Sequence, residues 1–512
     1  MKRIKKLAAA MLTAIMMMTM TVTAFAAGTR TLTVNVKDGQ DLKGQTINLY
    51  KLFDVTTSTS GETTNYAYTV NDTYKDTLAE ALGIANTSTN DQFVKAVSRL
   101  KTETKDEVQK FANDFTSKAL TKQLDATVNS GKFNESKTSY TFNNLDAGYY
   151  LVYVTGGKEI QSSLVTVDKP TNTVNLKTEA PSITKKADKE TAEIGQVVKY
   201  TVTGSITDTT GYSDYVYKIH DELSKGLDFV NDANGTALGE GITNVNVTVA
   251  FTDADVTDKG TVPTTATLDT ANKRKMNLDL SAWVKANQDN KGKEFKVTYY
   301  AKVNKDAVVT NKNSATLNYG NNPSDTTTTK PSEVVTPTYP LDINKIKKGS
   351  DEKLAGAKFR LYSSETDAKA NDESKAIKVS PVVAGVAGNY VVDSASTTTE
   401  FESVKSIDGK GYNLHVNGLE AKDYWLVETK APDGFNKLTN PIKVTITKTT
   451  DAEWTVSKDG TDEKDKIIDI ENSTGSLLPS TGGAGVIVFA GIAILLVFGV
   501  AVSFIRDKRK AC

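Results

Sequence analysis

Tandem β-sandwiches are the fold class predicted by this sequence, and three observations predict it. Most of the chain runs in short stretches that alternate polar with apolar residues and are rich in Val, Thr and Tyr, the pattern of a strand with one buried face. Gly, Asn and Asp fall between those stretches, where tight turns need them. Proline-rich and threonine-rich passages then divide the chain into lengths typical of single domains. The expectation is a mainly β protein whose sandwiches have immunoglobulin-like topology.

From the beginning of the chain, Lys2, Arg3, Lys5 and Lys6 precede an apolar or weakly polar run, Leu7 to Phe25, that closes on Ala24-Phe25-Ala26. A basic start, a short apolar run and small residues at the cleavage point make residues 1–26 a secretory signal peptide. The first domain spans 27–179 and opens on a strand at Leu32 to Val36. It also carries the exception to the β pattern. Between Asp91 and Leu124, Phe93, Val97 and Leu100, then Val108, Phe111, Ala112 and Phe115, recur at helical spacing, which predicts two amphipathic helices with their apolar stripes in the core.

Pro170 and Pro181 bracket the passage into a second domain, 180–338, with strands at Lys199 to Thr203 and Lys296 to Val303. The Thr/Pro stretch Asp325 to Pro340 reads as a linker. A third domain, 339–475, holds strands at Lys358 to Tyr362, Tyr424 to Glu428 and Ile442 to Thr447. The tail, 476–512, contains Leu478, Pro479, Ser480, Thr481 and Gly482, then the apolar run Val486 to Ile505, then Arg506, Lys508, Arg509 and Lys510. That run is long enough for a transmembrane helix, and the basic end after it places everything before it outside.

Composition excludes several functions. Lys plus Arg equals Asp plus Glu at 62 each, so nothing marks a nucleic-acid partner. The single cysteine, Cys512, lies in the tail, and an exported protein of this size therefore has no disulfide to staple it. His220 and His415 are the two histidines and fall in different domains. No metal, cofactor or hydrolase constellation can be assembled around them, and the chain is not expected to be an enzyme.

In order and spacing, the tail resembles the cell-wall sorting signal of Gram-positive surface proteins. The resemblance implies that a sortase cysteine attacks the Thr481 carbonyl, releases Gly482 onward and holds Thr481 as a thioester until an amine displaces it. YWLVETKAPDGF (Tyr424 to Phe435), with LDINKIKKGSDEKLAGAKFRLY (Leu341 to Tyr362) and IIDIEN (Ile467 to Asn472), resembles the collagen-adhesin B-type domain of pilins and adhesins. That likeness implies an autocatalytic isopeptide bond between Lys345 and Asn472, assisted by Glu428. The residues agree with it independently, since strand alternation puts Ile343, Lys345 and Lys347 on one face and lets Lys345 point inward. A buried amine is driven toward its neutral, nucleophilic form.

PSITKKADKETAEIGQVVKYTV (Pro181 to Val202), YKIHDELSKGLDFV (Tyr217 to Val230) and NKNSATLNY (Asn311 to Tyr319) are similar to the middle domain of backbone pilins. The corresponding cross-link residues are Lys185, Asp221 and Asn313, with Lys186 and Asn311 as alternatives to Lys185 and Asn313. Together these likenesses identify the chain as a major, or backbone, pilin, the fimbrial shaft subunit assembled by sortases. The implied polymerising lysine is Lys177, in TVNLKTEAPSITKK, with Lys169 as its rival. The partners implied are a pilus-type and a housekeeping sortase, further copies of the chain, minor pilins and peptidoglycan, at the cell surface. The alternative is a monomeric, sortase-anchored adhesin that binds a host or partner-cell ligand.

Overall fold

The computed structural model describes residues 28–475, apart from 61–62, 104, 158–159, 161, 178, 211–213, 321–322 and 325, together with 493–497 and 500. The predicted signal peptide and the pentapeptide Leu478 to Gly482 lie outside the described residues, as does most of the predicted span 486–505. Among the described residues no helix is long and apolar enough to cross a membrane. The chain divides into two compact units, one of residues 1–190 and 196–336, the other of residues 191–195 and 337–512. The fold is mainly β, with six sheets among the described residues.

The first part of the first unit stacks three layers. A three-stranded sheet, ordered Ser139–Leu145, Arg30–Asn35, Thr171–Asn175, faces a five-stranded sheet built around Thr46–Ser60 and Gly148–Val154. Leu32, Val34, Ile47, Leu49, Val152 and Val154 fill the space between these sheets. On the other face of the five-stranded sheet, Tyr50, Leu52, Leu151 and Tyr153 meet Phe93, Phe111 and Phe115 from the helices Asn90–Glu103 and Lys105–Thr121. The central strand Gly148–Val154 is thus buried on both faces, and its sequence GYYLVYV does not alternate for that reason.

The two helices lie where their periodicity predicts, and a third, Lys75–Leu82, precedes them. It ends at Gly83, whose φ of 65° is left-handed, a conformation glycine adopts without steric cost.

In the rest of the first unit, a five-stranded sheet runs Leu227–Val230, Glu294–Val303, Val197–Ser205, Thr184–Ala187, with Thr248–Phe251 also on Glu294–Val303. A seven-stranded sheet centres on Val216–Leu223 between Lys275–Asp279 and Lys312–Gly320. Strict alternation decides which residues face the core. Phe295, Val297, Tyr299 and Ala301 are buried from one strand, and Ile219 and Leu223 from another. The same alternation carries Asp221 and Asn313 inward with them.

The stretch Asp325 to Pro340 corrects the linker expectation. Thr327–Thr328 and Ser332–Val335 pair antiparallel with Lys312–Gly320, and Thr336 and Thr338 are buried. β-Branched threonine and valine suit an edge strand, while Pro331 and Pro337 stand just before and just after the paired residues, where a missing N–H costs no ladder bond.

The second unit has two sheets. One is ordered Val379–Pro381, Asn389–Val392, Leu414–Leu419, Tyr339–Lys347, Ile467–Asn472; the other, Phe401–Glu402, Lys358–Tyr362, Asp423–Lys430, Ile442–Lys448, Trp454–Lys458, Thr461–Glu463. Tyr339–Lys347 and Ile467–Asn472 pair in parallel, with Lys345 opposite Ile470 and Lys347 opposite Asn472. The segment 191–195 belongs to this unit, the Ala192 and Ile194 N–H groups donating to the carbonyls of Pro337 and Gly418 at 3.0 Å each.

Phe115 is fully buried and meets Tyr50 and Tyr74 edge to face at 5.9 and 6.1 Å. Truncating a buried phenylalanine costs about 3–5 kcal/mol. Phe115→Ala is therefore expected to lower the melting temperature of the first unit in a chain of residues 28–475, measured by scanning calorimetry, whereas an unchanged profile would place this helix outside the core.

Candidate functional site

Two lysines are buried among the described residues, Lys185 and Lys345. Each lies beside a buried acid and a buried asparagine, in the sets anticipated from the sequence.

In the second unit the three side chains come from the first strand, a central strand and the last. Lys345 is 0 % exposed, Glu428 2 % and Asn472 1 %. The parallel register sets Lys345 beside the final residues of Ile467–Asn472, so its Nζ reaches Asn472 Oδ1 directly and donates to the Ile470 carbonyl at 2.9 Å. Glu428 Oε1 stands 3.9 Å from the same amine. Asn472 Nδ2 donates to Glu428 Oε2 at 3.0 Å and to the Asn436 carbonyl at 2.7 Å, and the Leu438 N–H donates to Glu428 Oε2 at 2.7 Å. The amide is thus held with its oxygen toward the lysine and its nitrogen toward the acid. Burial pulls the Lys345 pKa down to about 8, with the charges of Glu428 and Glu471 opposing the shift.

In the first unit the set bridges two sheets. Lys185 comes from Thr184–Ala187, Asp221 from Val216–Leu223 and Asn313 from Lys312–Gly320. Lys185 Nζ contacts both Asp221 Oδ2 and the Tyr299 hydroxyl. The Tyr299 hydroxyl donates to Asp221 Oδ2 at 2.5 Å and accepts from Asn313 Nδ2 at 3.2 Å. Asp221 Oδ1 and Asn313 Oδ1 are buried without a hydrogen-bond partner. The amine also lies 5.3 and 5.0 Å from the ring centroids of Tyr200 and Tyr299. Burial lowers the Lys185 pKa and raises that of Asp221, each opposed by the other's charge. Both shifts favour the neutral amine beside a protonated acid.

The alternatives left by the sequence separate here. Lys186 points outward and is exposed, one residue from Lys185 on the opposite face. Asn311 is buried, but its Oδ1 accepts from the Val308 N–H at 2.9 Å and so serves the loop before the strand. Three groups that touch these sets carry no signal in the sequence. Tyr299 looks like any inward aromatic of an alternating strand, and nothing in EFKVTYYAKV marks it. The Asn436 carbonyl and Leu438 N–H act through the backbone, which side-chain identity does not reveal.

Lys177 and Lys169 are both exposed. Leu176 is buried and its N–H donates to the Asn35 carbonyl at 2.8 Å, which anchors the chain directly before Lys177. The Lys177 Nζ donates to Gln109 Oε1 at 3.1 Å. Lys169 occupies the turn between Ser163–Val167 and Thr171–Asn175.

Residues 340–461 match the SpaA prealbumin-like fold domain family. The chain is 30% identical over 179 residues to the fimbrial subunit type 1 of Actinomyces viscosus, a match that spans 32% of this chain and 31% of that relative's length. Among solved structures, it is similar to the T6 backbone pilin of serotype M6 Streptococcus pyogenes, at 17% identity and a TM-score of 0.43, covering 88% of this chain and 100% of that one. It is also similar to the major pilin SpaA of Corynebacterium diphtheriae, at 16% identity and a TM-score of 0.42, covering 87% and 100%.

The lowered pKa of Lys345 has a measurable sign. Between about 8 and the ordinary 10.5, the unfolded chain binds the proton that the folded chain has released, so stability rises with pH across that window. In an Asn472→Ala chain, where Lys345 stays a free amine, the melting temperature of the second unit is expected to climb over this range. A further Lys345→Met substitution should flatten the climb. A melting temperature that falls over the window in the Asn472→Ala chain would contradict a buried free amine.

Proposed function

We propose that this chain is the shaft subunit of a covalent pilus, joined to its neighbours by a sortase through Thr481 and Lys177 and stapled internally by Lys345–Asn472 and Lys185–Asn313 isopeptide bonds. The observation that carries the reading is that buried Lys345 meets buried Asn472 with buried Glu428 at its amide, while buried Lys185 meets buried Asp221 and shares the Tyr299 hydroxyl with buried Asn313. A sandwich has no structural need for such a set, because a buried charge costs several kcal/mol even when paired. Chemistry that consumes the charge accounts for it. The match of residues 340–461 to the SpaA domain family and the similarity to a fimbrial subunit support the same reading.

Within the second unit, the neutral Lys345 amine attacks Cγ of Asn472 while Glu428 gives a proton to Nδ2 and takes the surplus proton from Nζ. The Nζ–Cγ bond forms, the Cγ–Nδ2 bond breaks and ammonia leaves. The bond joins the first strand of the unit to the last and closes a loop of more than about 100 residues, worth about 4.7 kcal/mol on the entropic model of cross-linking. Under tension, the domain then cannot unzip from its ends without rupture of a covalent bond.

Between subunits, a pilus-type sortase holds Thr481 as an acyl-enzyme, and the exposed Lys177 amine of the next copy displaces it. A housekeeping sortase transfers the finished fibre, with any minor pilins, to peptidoglycan. Exposure favours Lys177 and Lys169 alike, whereas the buried Leu176 gives Lys177 the firmer base.

Two measurements test this. By intact-mass spectrometry the mature chain is expected to be lighter than its sequence by two ammonia molecules, and Glu428→Ala to regain one of them with a lower melting temperature. In cells, Lys177→Arg is expected to abolish the high-mass, SDS-resistant ladder of wall extracts, because a guanidinium stays protonated. Monomer should still reach the wall. A ladder that persists, with the Thr481 branch on Lys169, moves the nucleophile. If no lysine of the chain carries that branch, the protein is a wall-anchored adhesin.

A further inference from the structure

The two cross-link sets differ in how the acid reaches the amide that must leave. Glu428 Oε2 accepts directly from Asn472 Nδ2 at 3.0 Å. Aspartate is one methylene shorter, and Asp221 makes no hydrogen bond to Asn313. Between them stands the Tyr299 hydroxyl, 2.5 Å from Asp221 Oδ2, 3.2 Å from Asn313 Nδ2 and in contact with Lys185 Nζ. Three groups of one reaction converge on a single phenol.

Resting on the proposed isopeptide bond, we propose that Tyr299 is a catalytic residue of the first-unit cross-link, relaying the proton from Asp221 to the Asn313 nitrogen that departs as ammonia. The balance is complete without an outside reagent. Lys185, as the neutral amine beside a protonated Asp221, forms the Nζ–Cγ bond to Asn313, and the carbonyl electrons move to Oδ1. Tyr299 gives its proton to Nδ2 and recovers one from Asp221. Asp221 in turn takes the surplus proton of Nζ. The carbonyl re-forms as the Cγ–Nδ2 bond breaks, ammonia leaves, and Tyr299 and Asp221 end as they began.

Packing holds the phenol at this point. Tyr299 lies in the cross-strand register opposite Tyr200, their rings stacked at 5.8 Å between centroids, and Phe229 touches it at 5.9 Å. The ring is 0 % exposed, so its hydroxyl does not swing into solvent. Burial and Asp221 together hold its pKa far above that of a free tyrosine, which keeps the proton on the phenol until the amide nitrogen accepts it. Tyr200 provides the internal contrast. It is as deeply buried and stacked against Tyr299, but its hydroxyl makes no hydrogen bond to Lys185, Asp221 or Asn313.

The test uses the full extracellular chain and follows the branched Lys185–Asn313 peptide by mass spectrometry, from fresh purification through storage. Tyr299→Phe retains the ring and removes the relay. It is expected to slow bond formation about 100-fold, the scale of lost general acid–base assistance, with circular dichroism unchanged and the Lys345–Asn472 bond intact. Tyr200→Phe should close the bond at the wild-type rate. Wild-type speed in Tyr299→Phe overturns the relay and leaves the cross-link standing, whereas absence of the branched peptide from the wild-type chain overturns the cross-link itself. Should Tyr299→Phe fail to fold, 3-fluorotyrosine at position 299 decides the matter, since it keeps ring and hydroxyl and changes only the acidity. An altered rate sustains the relay and an unaltered one overturns it.

Discussion

An amine held away from water between two β-sheets is the constraint on which the rest of this architecture depends. Desolvation opposes the ammonium, and a neighbouring carboxylate compensates only in part, as the lowered pKa of both Lys185 and Lys345 reflects. A sandwich that merely needed to be stable would place leucine at either position. Under the proposed function the buried charges are reactants, and formation of a neutral amide would remove the ammonium. With Cys512 as the single cysteine, no disulfide can perform this stapling.

The two sets are built on different strand geometry. Parallel pairing of Tyr339–Lys347 with Ile467–Asn472 brings amine and amide together within one sheet, and the longer Glu428 arrives from the facing sheet. In the first unit, amine and amide lie on opposite sheets, and Asp221 shares a sheet with Asn313. The acid must then reach across to the lysine instead of along to the amide. A phenol from the lysine's own sheet fills the remaining gap. Acid length and sheet placement are therefore a single choice, and the extra tyrosine follows from it.

Period-two alternation made most of this legible beforehand. It placed the strands at Lys358 to Tyr362 and Ile442 to Thr447, and it required that exactly one of Lys185 and Lys186 face inward, although only register could say which. What stayed hidden did so for physical reasons. Tyr299 carries no polar signature in a strand of inward aromatics, and helix Lys75–Leu82 is too short for its periodicity to stand out. The stretch Asp325 to Pro340 has the composition of a linker, yet edge pairing asks for backbone hydrogen bonds and β-branched side chains more than for apolar ones. Backbone groups such as the Asn436 carbonyl leave no trace in residue identity at all.

Under the proposed function lysine has two opposite tasks, and burial would sort them. A lysine that reacts within its own domain meets a partner already in place, so it gains by exclusion from water, which frees the amine and aligns it at contact distance. A lysine that resolves an acyl-enzyme must admit a second protein to its Nζ, so it has to stand in solvent. Lys345 and Lys185 meet the first requirement, and Lys177 and Lys169 meet the second. Exchanging the environments would disable both reactions, since a buried Lys177 would be unreachable and an exposed Lys345 would be hydrated and mostly protonated. On that proposal, strand faces and turns, which the fold needs for packing alone, would also partition one nucleophile between internal stapling and external joining.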